Sequence, residues 1–281
     1  MAKYFSLLMY FLYLLFYFCT NKFLVKDQLG RYIQLNRTPK RIISIVPSQT
    51  ELLFHLGLDD EVVGITRFCV HPAKWFKNKK RVGGTKKINI EEVRSLEPDI
   101  IFANKEENTK EDIEKLEAIC PVWVSDIHNV DDALDMIIAV GNIAGKADVA
   151  EKLVAEIKIA KKEFSVSRKN ISALYLIWKQ PYMAAGSDTF IHDMMQIAGF
   201  ENVITDKRYP TIELSEMQKL NPELILLSSE PYPFKQKHID ELAVALPHSK
   251  IILADGELFS WYGSRLLKSF DYFSTLHEQI I

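Results

Sequence analysis

Apolar positions along the chain fall into short β-branched runs that alternate with stretches of helical spacing. Ile42, Ile43, Ile45 and Val46 form an aliphatic run that stops at Pro47, the pattern of a short buried strand. Ser48 then stands where a helix needs a cap, with Glu51 three positions on, and this spacing predicts a capping box. Leu52, Leu53 and Leu56 give that helix its apolar face, and Gly57 ends it. Val62, Val63 and Ile65 open the next strand. Strand, helix and strand in so few residues make a βα unit, the building block of a parallel sheet.

The pattern repeats. "NIEEVRSLEPDIIFANKEEN" and "ELSEMQKLNPELILLSSEPYP" share a short helix, Leu, one residue, Pro, an acid, an aliphatic strand and a polar loop, so that Pro98 and Pro222 hold equivalent places. "IEKLEAICPVWVSD" and "IDELAVALPHSKIILADG" then repeat helix, proline and strand in the same order. Upstream, "SALYLIWKQPYMAAGSDTFIHDMMQIAGFENVI" parallels the first strand–helix–Gly unit. Three matches in order predict an α/β chain of two similar lobes, residues 25–145 and 169–281.

Between the lobes, Leu134, Ile137, Ile138 and Gly141 lie on one helical face, and Leu153, Ile157, Ala160 and Phe164 continue that spacing beyond Gly145. No Gly/Ser/Pro-rich linker interrupts it, so the expectation is one long interlobe helix, drawn at 146–168. Two lobes on a stiff connector enclose a cleft, and ligands of such sheets bind beyond the C-terminal ends of the strands.

The N-terminus, "MAKYFSLLMYFLYLLFYFCTNK", has Lys3 and then an apolar run from Tyr4 to Cys19 broken by Ser6. A membrane span takes roughly 20 apolar residues and the core of an export signal about 7–15. This run lies between, so residues 1–24 read as an export signal or a short membrane anchor, outside the fold. Cys19 closes the run where a lipoprotein signal places its acylated cysteine, although Phe18 stands where a small residue is usual.

Composition narrows the chemistry. At 281 residues with 48% hydrophobic side chains, 26% charged and a net charge of −2, the chain is globular, and it lacks the basic block of a nucleic-acid binder. Three cysteines cannot form a disulfide framework. No G-x-S-x-G, P-loop, G-x-G-x-x-G, H-E-x-x-H or C-x-x-C occurs. His55 and His192 sit in helical patterns as packing or surface residues, and Cys120 in "EAICPVWV" reads as a buried small hydrophobe.

The strand-end loops are richer. They hold Pro47 and Ser48; Arg67, Phe68, Cys69 and His71; Asn104, Glu106, Glu107 and Asn108; Trp178, Tyr182 and Met183; Glu230, Tyr232 and Phe234; and Phe259, Trp261, Tyr262 and Arg265. Aromatic walls with a few polar groups suit a large, flat, partly apolar ligand. "TRFCVHP" leaves three readings open: a ligand-facing loop, plain packing, or a metal contact through Cys69 or His71. A catalytic Cys–His pair lacks an orienting third group and an oxyanion donor.

"DQLGRYIQLNRTPKRIISIVPSQTELLFHLG", "VVGITRFCVHP", "VGG", "NIEEVRSLEPDIIFANKEEN" and "WYGSR" together resemble the helical-backbone (class III) substrate-binding proteins of bacterial ABC importers, from about Val25 to the C-terminus. That class includes periplasmic cobalamin, iron–siderophore and haem binders, and the cobalamin-type branch is the nearest. The resemblance implies two α/β lobes joined by one long helix, a monomer exported to the periplasm or anchored to the membrane, and delivery of the ligand to a permease. It implies no catalysis, no resident cofactor or bound metal, and a cobalamin or other metal chelate as cargo, with a ferric siderophore or haem as the alternative. Pro47, Ser48, Arg67, Phe68, His71, Asn104, Trp178, Tyr182, Tyr232, Trp261 and Arg265 are the implied ligand contacts. Thr85 and Asn104 depart from that branch, where tryptophans stand. The family also docks one glutamate per lobe on its permease: Glu91 matches the first, and Ser215 replaces the second, leaving Glu213 or Glu216 to substitute. The rival class is a chelatase-like metal-binding enzyme, which requires a concentrated set of histidines, carboxylates or cysteines.

Overall fold

The computed structural model describes residues 23–166 and 170–280; the N-terminal apolar run, Cys19 included, and positions 167–169 of the expected connector lie outside the described residues. Contacts divide the chain into two units. The first runs to Asp126 and takes in Val140–Ala147; the second holds Ile127–Ala139 and the chain from Asp148 on. No helix among the described residues is long and apolar enough to cross a membrane.

The first unit opens with an antiparallel hairpin, β1 (Phe23–Lys26) and β2 (Tyr32–Leu35). There follow β3 (Ile42–Ser44), α1 (Pro47–His55), β4 (Val62–Ile65), α2 (Ala73–Asn78), β5 (Lys80–Arg81) and the small hairpin β6 (Gly83–Gly84) and β7 (Lys87–Ile88). Then come α3 (Ile90–Ser95), β8 (Ile100–Asn104), α4 (Lys110–Glu117) and β9 (Val122–Ser125). The sheet order is β5-β4-β3-β8-β9, parallel throughout. Ile42, Ile43, Ile45 and Val46 have no exposed surface, as a strand covered on both faces requires. Each fully buried aliphatic side chain of this kind stabilises the unit by about 1.5–3 kcal/mol at most.

The predicted capping box does not form. Val46 is the N-cap, with no side-chain bond, and α1 begins at Pro47. Proline takes the first helical position because its missing N–H would be unpaired there and its φ is already helical. Ser48 therefore lies inside the first turn rather than before it.

Two helices, α5 (Val130–Ile143) and α6 (Ala147–Glu163), follow, with Gly145 at φ +68° between them. The expected connector spans 146–168; the division between units falls within α5 and again just before Asp148.

The second unit continues with β10 (Ile171–Trp178), β11 (Met183–Ala184), α7 (Phe190–Ile197), β12 (Phe200–Asn202), α8 (Leu214–Leu220) and β13 (Leu224–Ser228). It ends with α9 (Gln236–Ala245), β14 (Lys250–Ala254), α10 (Gly256–Ser260) and α11 (Leu266–Ile280). Strands β10, β13 and β14 run parallel, β12 pairs parallel with the start of β10, and β11 pairs antiparallel with its end. The core under this sheet includes Leu174, Leu176, Met217, Ile225, Leu227 and Leu242.

The internal repeat is visible in backbone detail. Glu97 and Asn221, the residues before Pro98 and Pro222, take φ of +45° and +44°. A left-handed residue stops each helix, and the proline behind it cannot continue one. The acid after each proline then clamps the start of the neighbouring strand. Asp99 Oδ2 accepts from the Lys40 and Arg41 N–H groups at 2.8 and 2.9 Å, and Glu223 Oε1 from the Ser172 N–H at 3.3 Å. The same four-residue device thus sets the entry of a central strand in both units.

Candidate functional site

In the first unit, the loops at the carboxyl ends of β3, β4 and β8 are tied together by main-chain and amide bonds. Thr66, fully buried after β4, receives the Cys69 N–H on its carbonyl and the Phe68 N–H on its hydroxyl. The Cys69 Sγ lies 3.1 Å from Thr50 Oγ1 and 3.2 Å from Thr66 Oγ1, with no exposed surface. Burial pushes its thiol up, against the hydrogen bonds of both threonines. With Thr66 and Cys69 turned inward, Arg67 and Phe68 are left outside, and half of the Phe68 side chain is exposed.

Both outer side chains rest on Gly84. A Cβ there would stand 3.1 Å from Phe68 Cε2 and 3.2 Å from Arg67 Nη2, so the glycine leaves the seat that a side chain would fill. The Arg67 guanidinium lies 5.1 Å from the centre of the Phe68 ring. The Arg67 N–H bonds to the Gly83 carbonyl, which fixes the loop against the β6–β7 hairpin. His71 is half-buried at the end of the loop.

Asn104 is turned to the scaffold. It is almost fully buried; its Oδ1 accepts from the Glu106 and Glu107 N–H groups, and its Nδ2 donates to Ser125 Oγ at 2.9 Å. Asn108 completes the weave, taking the Asn104 N–H and donating to the Thr85 and Ile45 carbonyls. Asn104 therefore shapes this rim through its neighbours, with both ends of its amide engaged. Pro47 and Ser48 are buried in the first turn of α1, and the Ser48 hydroxyl has no hydrogen-bond partner among the described residues.

In the second unit the aromatic residues converge on one loop, residues 229–234 after β13. Trp178, the last residue of β10, is 39% exposed and meets the Tyr232 ring edge-on at 5.6 Å. Tyr232 packs in turn on Phe234 at 4.8 Å and on His238. The buried His238 accepts the Lys235 N–H on Nδ1 at 2.9 Å, which places the proton of its neutral ring on Nε2, 3.4 Å from the Tyr232 hydroxyl. Burial and the nearby Lys179 and Lys237 hold His238 below its usual value, favouring that neutral form. Tyr182 is half-buried beside this group and burial raises its phenol.

The other side of the same loop holds Trp261. Its Nε1–H donates to Glu230 Oε1 at 2.7 Å, and the Ser260 hydroxyl donates to the same oxygen at 3.0 Å. Arg265 lies over the indole at 4.7 Å and is ion-paired with Glu257 at 2.5 Å. Trp261 and Arg265 are both more than nine-tenths buried, so they form a fixed wall, whereas Trp178 stands out. Trp261 and Arg265 are expected from the sequence, whereas the parts played by Glu230, Gly84 and His238 are not. An acid directly before "PYP" was the one available signal for Glu230.

The glutamates expected to dock differ in their surroundings. Glu91 projects from the first turn of α3 with its side chain 84% exposed, 4.0 Å from Arg94. Glu216 instead accepts the Glu213 N–H at 2.8 Å, closing the N-terminus of α8. A surface cavity of about 310 Å³ borders α8, lined in part by Ile204, Pro210, Glu216, Lys219 and Leu220. Another of about 490 Å³ lies in the first unit, between Arg31–Gln34 and Glu117–Val122, beside Cys120. Cys120 itself is buried, and desolvation pushes its thiol up to about 12. No cluster of three or more His, Cys, Asp or Glu side chains able to hold a metal ion occurs among the described residues.

Known proteins are similar to this chain in sequence and in fold. The chain is 26% identical over 261 residues to an ABC transporter substrate-binding lipoprotein of Bacillus subtilis, covering 87% of this chain and 82% of the relative. It is 24% identical over 199 residues to a vitamin B12-binding protein of Vibrio campbellii, covering 69% and 72%. Among solved structures, the periplasmic vitamin B12 binding protein of Vibrio cholerae superposes with a TM-score of 0.73 at 19% identity, over 86% of this chain and 98% of that one. A periplasmic heme-binding protein from Roseiflexus sp. RS-1 superposes with a TM-score of 0.74 at 18% identity, over the same shares. The two α/β units are those of class III periplasmic binding proteins. The periplasmic binding protein family model matches residues 42–244, and the chain belongs to that family.

Proposed function

We propose that the protein is the extracytoplasmic substrate-binding component of an ABC importer, and that its cargo is a corrinoid or a related metal chelate. The observation that carries this reading is the set of aromatic side chains at or beyond the carboxyl ends of parallel strands: Phe68 seated on Gly84, Trp178 propped by Tyr232, and Trp261 held by Glu230. Flat aromatic faces with a few fixed polar groups match the flat, partly apolar face of a chelate macrocycle better than a sugar or an amino acid. Because a hydrogen bond already fixes the Trp261 indole, engaging that wall costs little ordering entropy. The vitamin B12-binding and heme-binding relatives support the ligand class, and the substrate-binding lipoprotein supports delivery to a permease. Glu91 is the surface acid best placed for that docking, since its side chain is 84% exposed and meets Arg94 only at 4.0 Å among the described residues. Glu213 and Glu216 form the corresponding acidic end of α8.

Calorimetric titration of the purified protein with cyanocobalamin, haemin and a ferric siderophore tests the reading. Saturable one-to-one binding of cyanocobalamin supports it. Binding of haemin or the siderophore in its place keeps the class and changes the cargo. Failure of all three, with binding of a sugar or an amino acid instead, overturns it.

A further inference from the structure

Loop 229–234 sits between the two tryptophans of the second unit and touches both. Glu230 bonds Trp261 through the indole N–H, and two residues on Tyr232 supports Trp178. The loop is itself pinned. Ser228 Oγ donates to the Glu230 carbonyl at 2.5 Å, the Gly256 N–H bonds to Ser229 Oγ at 2.9 Å, and the Tyr232 N–H reaches the Ile177 carbonyl. Gly256 permits this approach: a Cβ there would fall 2.4 Å from Ser228 Oγ and 2.7 Å from Glu230 Cγ.

The chemistry of Glu230 is unusual for a structural loop residue. Its carboxylate is largely withdrawn from water, and among the described residues it forms no ion pair. The near cation, Arg265, is paired with Glu257. Desolvation raises the Glu230 carboxyl, hydrogen bonds from Ser260 and Trp261 oppose this, and Glu257 and Asp255 raise it further. An unpaired carboxylate in such surroundings is costly, and a neutral acceptor would be the cheaper way to occupy the space. What the carboxylate adds is a short charge-assisted bond to one indole N–H, roughly twice as strong as a neutral one.

We propose that Glu230 is a positioning residue of the binding site, fixing the plane of the Trp261 indole through its N–H while Tyr232, on the same loop, fixes Trp178. One short segment thereby sets the orientation of both aromatic walls in this unit. The assignment rests on the reading of Trp261 as a ligand contact. Glu230 acts through Trp261 and does not itself touch cargo.

A double-mutant cycle between Glu230 and Trp261, read with cyanocobalamin and haemin as probes, tests it. Glu230→Ala is expected to weaken binding of the bound probe about tenfold, the scale of a hydrogen bond to a charged group. Glu230→Gln keeps an acceptor oxygen for the indole N–H and should recover most of that loss. In a Trp261→Phe background, which has no N–H, Glu230→Ala should add nothing further. The indole ¹H–¹⁵N resonance of Trp261, assigned by its loss in Trp261→Phe, should shift and lose exchange protection in Glu230→Ala, while those of Trp75 and Trp123 stay in place.

An equal loss on Glu230→Ala in both backgrounds, or an unmoved Trp261 resonance, overturns the positioning role. If Trp261→Ala leaves binding unchanged, the assignment of Trp261 as a contact falls, and the role of Glu230 with it. If the wild type binds neither probe, the corrinoid and haem readings fail first. Thermal melts of each variant separate these outcomes from simple unfolding.

Discussion

Phe68 and Trp261 are both aromatic side chains in segments that follow parallel strands, yet the chain holds them in opposite ways. Phe68 is half exposed and rests on a glycine, with a guanidinium beside its ring and no polar handle of its own. Trp261 is 6% exposed and is gripped by a carboxylate on its N–H and by Arg265 over its face. Contact packing leaves a side chain free to adjust by small rotations, whereas a directional bond fixes a plane. The first unit thus offers an adaptable aromatic surface and the second a rigid one.

The largest expected effect breaks the rigid side. Replacing Trp178 and Trp261 together by Ala should weaken chelate binding about 100-fold or more, as loss of two central aromatic anchors does. Calorimetric titration of the double variant reads this, and unchanged affinity would place the cargo elsewhere. Next, Gly256→Ala forces a Cβ into Ser228 and the Glu230 backbone, so it should cost about 1–3 kcal/mol and lower Tm by about 3–10 °C. A melting curve matching wild type would show that the loop yields there.

On the adaptable side, Phe68→Ala should weaken binding by about fivefold, well below the tryptophan pair. A loss as large as theirs would erase the distinction between the two units.

A pH series sharpens the comparison without removing a side chain. The Glu230 carboxyl is raised in the folded protein, so the native state holds its proton to higher pH than the unfolded chain does. The stability this contributes is fully present below the ordinary value of 4.5 and is lost as pH rises through the raised folded value. Glu230→Gln carries no charge at any pH. Its Tm relative to wild type should therefore rise as pH increases through that window and level off above it. A difference independent of pH would mean that the carboxylate is not destabilised by its surroundings. The smallest effect belongs to Gly84→Ala, where the atoms met are the far ends of Phe68 and Arg67. These can swing aside, so thermal denaturation should show a loss of less than about 1 kcal/mol.

Much of the scaffold was legible because it is written in local chemistry. Leu-x-Pro-acid announced both Pro98 and Pro222, and the structure shows why: a left-handed residue, a proline stop and a clamping carboxylate each act within a few positions of one another. The start of α1 was misread because Ser48 and Pro47 both qualify for a helix N-terminus, and proline at the first position took precedence. That these residues follow strands was readable, but their partners were not. Glu230 and Trp261 are 31 positions apart, and His238 is buried by packing that no periodicity reports. Asn104 is among the expected contacts because it closes a strand. The Ser125 hydroxyl and the Glu106 and Glu107 N–H groups that engage it come from sheet register and loop geometry.

The central claim, that these aromatic loops serve a metal chelate, is tested most directly by what the protein carries out of the cell that makes it. Visible absorption and mass spectrometry of the small molecule released from freshly purified protein should reveal a corrinoid or a related metal chelate bound one to one. A sugar, an amino acid or a peptide released in that ratio would contradict the account.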